Sequence, residues 1–236
     1  MKNAFFLVFL VSFLSSCKKE EIPLTDNTPI TIPDSGFEDY LVYLNIDSDR
    51  TVNGSIKYGD IKSVDTLRLI VTAQRPTIKN LKGIAYFTNL KYLDCTGWAI
   101  DQLDVSQNPN LEFLNCSTNP SAGEGYYPPA QISQLLFGKA NNKLKILHCN
   151  KNLIRTLDLT TLPSLTQLFC TGSLLTELDV SHNKNLTTCW TTNSPQLKTI
   201  YVSSLNQVDS TRSQDGGTIG GSYKWFKDAY TIYKVR

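Results

Sequence analysis

The sequence predicts a solenoid in which short parallel strands stack along one axis, with little helix. Three observations carry that expectation. Residues 90–110 (LKYLDCTGWAIDQLDVSQNPN), 144–164 (LKILHCNKNLIRTLDLTTLPS) and 165–185 (LTQLFCTGSLLTELDVSHNKN) are registered copies of one 21-residue unit, and self-similarity at so short a period marks an architecture of stacked units. Each unit holds two apolar sets, such as Leu90, Leu93 and Cys95 and then Ile100, Leu103 and Val105. Their closing alternation is that of an extended chain with one face inward. Finally, the 236 residues are 41% hydrophobic and 19% charged, enough apolar material for a core and too little charge for disorder.

The N-terminus reads as an address followed by an anchor. After Lys2, residues 4–14 form an apolar run too short to span a bilayer, which takes about 20 residues, and of the size of a secretory signal core. The junction Leu14-Ser15-Ser16-Cys17 resembles a bacterial lipobox. The resemblance implies that residues 1–16 are a signal peptide and that Cys17 becomes the lipidated first residue. Lys18, Lys19, Glu20 and Glu21 resemble a signal for export to the outer leaflet in one phylum of Gram-negative bacteria. They imply an outer-membrane lipoprotein exposed at the cell surface, the alternative being one that faces the periplasm, with the lipid as its sole membrane contact. Residues 17–35 carry three prolines and no apolar periodicity, and read as a flexible tether.

Residues 36–63 should form an N-terminal cap. FEDYLVYLNI, residues 37–46, has helical apolar spacing suited to covering the open end of the first turn. Beyond it, Asp49, Thr51, Asn53, Gly54, Ile56 and Asp60 fall on positions 1, 3, 5, 6, 8 and 12 of an EF-hand-like loop. Thr51 replaces a charged or amide ligand, Lys57 sits at position 9, and Asp60 is shorter than the usual glutamate. A structural turn is the expectation, with Asp49, Asn53 and Asp60 as weak calcium candidates and no other metal or cofactor implied.

Residues 64–207 should make about six turns. VDTLRLIV from Val64 and IKNLKGIAYFTN from Ile78 form the first, and LTTCWTTNSPQLKTIYVSS from Leu186 the last. The copy from Leu111 resumes at Ile132 and is lengthened by an insertion, SAGEGYYPPAQ, residues 121–131. Cys95, Cys116, Cys149 and Cys170 share one inward position, so they read as a column of free thiols. In-register neighbours would put their Cβ atoms too far apart for the usual disulfide geometry. Asn119 and Asn152 are placed to bond turn backbone. Asp104, Asp158 and Asp179 recur where a carboxylate caps the following turn. In residues 208–236, SYKWFKDAYTIYKV suggests a strand hairpin closing the last turn as a β C-terminal cap. The glycines before it lack the context of a phosphate loop.

The shared pattern, L-x-x-L-x-C-x-x-N/S/W-x-I/L-x-x-L-D-V/L-S, resembles the leucine-rich repeat. LKGIAYFTNL and the LDVSxN copies are similar to the short, internalin-like repeats of bacterial surface lipoproteins, over roughly residues 36–207. The resemblance implies a leucine-rich-repeat solenoid, a parallel β, α/β-type repeat fold with a small helical N-terminal cap.

Strand positions that face solvent hold Tyr92, Phe113 and Ile146 in one column and Asp94, Asn115, His148, Phe169 and Trp190 in the next. Large apolar side chains at exposed positions point to recognition. Tyr92, Phe113, Ile146, Phe169 and Trp190 could form a diagonal stripe flanked by Asp94, Asn115 and His148. Tyr126 and Tyr127 are contact tips of the insertion, unless it folds over the stripe. With 23 basic and 21 acidic residues and a net charge of +2, nothing calls for nucleic acid. Two histidines, no nucleophile–base pair and no cofactor fingerprint argue against an enzyme. The expected function is non-enzymatic protein binding or adhesion by a monomer at the cell surface. The alternatives are a glycan-binding accessory lipoprotein and a structural envelope protein without an extracellular ligand.

Overall fold

Leu93 pairs with Leu114, Leu114 with Leu147 and Leu147 with Leu168 on neighbouring parallel strands, so the sequence period is a spatial period. The computed structural model describes residues 23–71, 75–118, 132–208 and 225–236. Its strands, in chain order, are β1 (Pro29–Thr31), β2 (Ser55–Lys57), β3 (Thr66–Arg68), β4 (Tyr92–Asp94), β5 (Gln102–Asp104), β6 (Phe113–Asn115), β7 (Gln134–Leu136), β8 (Ile146–His148), β9 (Gln167–Phe169), β10 (Glu177–Asp179), β11 (Thr188–Trp190), β12 (Thr199–Val202), β13 (Trp225–Phe226) and β14 (Ile232–Val235). The α-helices are α1 (Ser35–Tyr43) and α2 (Tyr58–Ile61).

A front sheet of seven parallel strands runs in the order β3-β4-β6-β8-β9-β11-β13. The ladder extends past the strands, since the Cys95, Cys116, Cys149 and Cys170 amides donate to the Asn115, His148, Phe169 and Trp190 carbonyls at 2.8–2.9 Å. The back arm is less regular than expected. It pairs as β5-β7 and β10-β12-β14, whereas the first turn coils into a 3-10 helix at Ile84–Tyr86. Leu90, Leu93, Leu114, Leu144, Leu147, Leu165 and Leu168 from the front and Val105, Leu159, Val180 and Val202 from the back are fully buried between the arms. Burying a leucine in this way contributes about 1.5–3 kcal/mol.

Buried amides lace the turns together. Asn152 donates to the Cys116 and Cys149 carbonyls at 2.9 and 3.2 Å, as expected; Asn119 lies outside the described residues. A second ladder was not foreseen. Asn108 donates to Ile84 and Phe87 carbonyls, Asn141 to Val105 and Asn108, and Asn183 to Leu159 and Leu162, all between 2.8 and 3.2 Å. Gln207 does the same toward Val180 and Asn183. Each amide binds the carbonyls of the preceding turn, which bend away from the sheet ladders and need donors.

The two ends depart from expectation. Residues 29–35 are no tether: β1 pairs antiparallel with β2, Ile30 and Ile32 are buried, and Asp34 caps α1 by accepting from the Phe37 amide at 2.9 Å. Pro29 and Pro33 flank a short edge strand, a place where proline is tolerated. At the other end, the expected hairpin is a further turn. Trp225 and Phe226 add in parallel to β11, and β14 adds in parallel to β12. Alternating aromatics satisfy either arrangement; the inward columns, filled here by Trp225 and Tyr233, select the parallel one.

Candidate functional site

On the front sheet, side chains opposite the buried leucines stand outward, and register brings them into contact. Tyr92 and Phe113 stack with centroids 4.2 Å apart and planes 1° from parallel. The chain of rings continues from Phe113 to His148 (5.5 Å), His148 to Phe169 (4.4 Å), Phe169 to Trp190 (5.1 Å) and Trp190 to Phe226 (5.2 Å). The Arg68 guanidinium closes the N-terminal end, 4.8 Å from the Tyr92 centroid. All six rings keep some exposure, and Trp190 is the most open at 39%. Ile146 lies half-buried between Phe113 and Gln167 in the adjacent column.

The polar members of the expected set do two jobs. Asp94 accepts from the Thr96 amide and hydroxyl at 3.1 and 2.6 Å, and Asn115 accepts from the Ser117 amide at 3.2 Å, so part of each side chain holds its own turn. Burial lowers the proton affinity of His148, while the nearby Asp94 carboxylate raises it. The structure thus joins Tyr92, Phe113, His148, Phe169 and Trp190 in one strip with Ile146, Asp94 and Asn115 beside it. Tyr126, Tyr127 and the lipidation candidate Cys17 lie outside the described residues. Phe226 escapes the register because the tail does not keep the 21-residue spacing, and Arg68 shares the column of Asp94 and His148 but carries no ring.

The back-arm carboxylates behave as turn caps. Asp158 accepts from the Thr160 amide and hydroxyl, Asp179 from those of Ser181, and Asp104 from the Ser106 amide. In the cap loop, Asp49 is occupied by Thr51 and by the Asn53 carboxamide at 2.9 Å, and Asp60 by Ser48. The loop's Asn53, Gly54 and Ser55 amides instead converge on the buried Glu38 carboxylate at 2.8–3.0 Å. Glu38 thereby ties the loop to α1 through backbone donors. Among the described residues no group of three or more His, Cys, Asp or Glu side chains could hold a metal ion.

Cys95, Cys116, Cys149, Cys170 and Cys189 are buried free thiols. The first four stack in the expected column, whereas Cys189 takes the leucine position beside Leu168. Burial pushes every one of these thiols far above the usual range. Held neutral, they pack as small apolar groups.

Among solved structures, the chain is similar to the functional domain of InlJ from Listeria monocytogenes, described as including a cysteine ladder. The identity is 26%, the TM-score 0.57, and the match covers 78% of this chain and 42% of that one. The fold is a leucine-rich-repeat solenoid. Its repeats are internalin-like, and the match spans less than half of that solved chain. A more distant likeness is to the internalin InlF of the same species, at 18% identity and a TM-score of 0.39, covering 79% of this chain and 55% of that one. No protein-family model matches the chain, and no curated protein matches its sequence.

Proposed function

We propose that this leucine-rich-repeat solenoid is a non-enzymatic cell-surface protein that binds a protein partner through the ring strip on its front sheet. The single observation behind this reading is the continuous run from Arg68 through Tyr92, Phe113, His148, Phe169 and Trp190 to Phe226. Solenoids use extended curved faces for recognition, and aromatic side chains dominate protein hot spots. The orientation of the rings favours a protein over a sugar. Tyr92 has Phe113 against one face and Arg68 against the ring as well, so it offers an edge where a sugar needs an open face. The lipobox-like segment and Lys18, Lys19, Glu20 and Glu21 support lipidation at Cys17 and an outer-membrane, outward-facing location.

The test is a binding screen of residues 22–236 against extracellular-matrix and envelope proteins, with a glycan array beside it. At least one protein should bind, and Trp190→Ala should weaken it tenfold or more. A glycan that binds and is lost with Trp190→Ala would establish the carbohydrate reading instead. Silence in both screens would leave a structural envelope role.

A further inference from the structure

On the back of the solenoid, a cleft of about 900 Å3 opens between residues 79–85 and β5, lined also by Leu136. Its origin is one extra residue. Leu81 and Ile84 are three apart where Leu103 and Val105, or Leu178 and Val180, are two apart, and the extra residue is taken up in a 3-10 helix at Ile84–Tyr86. This leaves β5 with one strand neighbour, β7. The Asp101 carbonyl accepts from the Ser133 amide at 2.9 Å and the Val105 amide donates to the Leu136 carbonyl at 3.1 Å, both on the β7 side. Backbone groups of successive strand residues alternate in direction, so the N–H and C=O of Gln102 and Asp104 face the cleft. Among the described residues no backbone hydrogen bond joins β5 to residues 79–86.

An open strand edge of this kind is a template for another chain, and strand addition is a recurrent way of capturing extended peptides. The walls also carry a charge pattern. Lys79 and Lys82 line one side, Asp101 and Asp104 the other, and all four are exposed. We propose that the cleft captures an extended segment of a partner protein, which adds as a strand to β5 through the backbone of Gln102 and Asp104. Acidic side chains of that segment meet Lys79 and Lys82, and basic ones meet Asp101 and Asp104. The cleft lies on the arm opposite the ring strip, and the inference does not depend on what the strip binds.

The experiment pans a phage-displayed random heptapeptide library against the mature chain in detergent, then measures the enriched peptides by fluorescence polarisation. N-methylating alternate peptide amides, which removes main-chain donors without changing side chains, should weaken binding at least tenfold. Gln102→Pro should do the same, and Trp190→Ala should leave it unchanged. In NMR spectra of the free protein the Gln102 and Asp104 amides should exchange quickly, and both should shift when peptide is added. The proposal fails if no peptide is enriched, if N-methylated peptides bind as well, if Trp190→Ala abolishes binding, or if those two amides are already protected in the free protein.

Discussion

Tyr92 and Phe113 are 21 residues apart in sequence and stack with their planes 1° from parallel, which is the solenoid's register expressed on its outer face. In-register parallel strands hold equivalent side chains about one strand spacing, ~4.8 Å, apart, and two flat rings fill that interval. Aromatic pairs of this kind add about 0.5–1.5 kcal/mol beyond their area. A double-mutant cycle of Tyr92→Ala and Phe113→Ala, followed by urea unfolding, should return a coupling in that range. Additive single changes would mean the rings do not meet in solution.

The buried asparagines should be costly to remove. Asn141 donates to two carbonyls and accepts from the Gly138 amide at 2.7 Å, and each net hydrogen bond is worth about 0.5–1.5 kcal/mol. Asn141→Ala should therefore cost about 2–4 kcal/mol by denaturant unfolding. Phe87 and Leu162 occupy this position in two other turns and are fully buried; Leu162→Asn should be far better tolerated than an asparagine elsewhere in the core.

The thiol column makes a chemical prediction. Five of the six cysteines, all but Cys17, should react slowly with a thiol reagent in native protein, because they are buried and neutral. After denaturation without reductant, all five should titrate. Cys149→Ser, which puts a hydroxyl into an apolar column, should cost about 1–3 kcal/mol.

Asp47 should give the cap a distinctive pH dependence. It is 2% exposed, its Oδ2 has no hydrogen-bond partner among the described residues, and burial pushes its carboxyl up from 3.8 to about 6, with Asp49, Glu38 and Asp60 adding to the rise. The folded state then binds the proton more tightly than the unfolded state. The Asp47 contribution favours folding below about pH 4 and is lost as pH rises through about 6. Asp47→Asn should be more stable than wild type above pH 6, with the difference shrinking toward pH 4. Parallel stability curves would contradict this.

The parts of the fold that follow the 21-residue period were readable in advance. The leucine and cysteine columns, the aspartate caps and five of the six strip rings needed only the register. What escaped needs information beyond spacing. Asn108 and Asn183 sit among other polar turn residues, and which of them turns inward depends on where the preceding turn leaves its carbonyls. The first back arm hides its 3-10 coil in one extra residue and in Gly83, whose φ is +101° and where a Cβ would lie 2.3 Å from the Ile32 side chain. Pro29 and Pro33 masked a strand that the buried pair Ile30 and Ile32 pins down, and alternation in the tail could not separate a hairpin from another parallel turn.

Aromatic nuclear Overhauser contacts bear most directly on the ring strip. An unbroken series should link Tyr92 to Phe113, Phe113 to His148, His148 to Phe169, Phe169 to Trp190 and Trp190 to Phe226. Missing contacts at Phe113–His148 or Phe169–Trp190, with those rings touching core leucines instead, would contradict a continuous recognition surface.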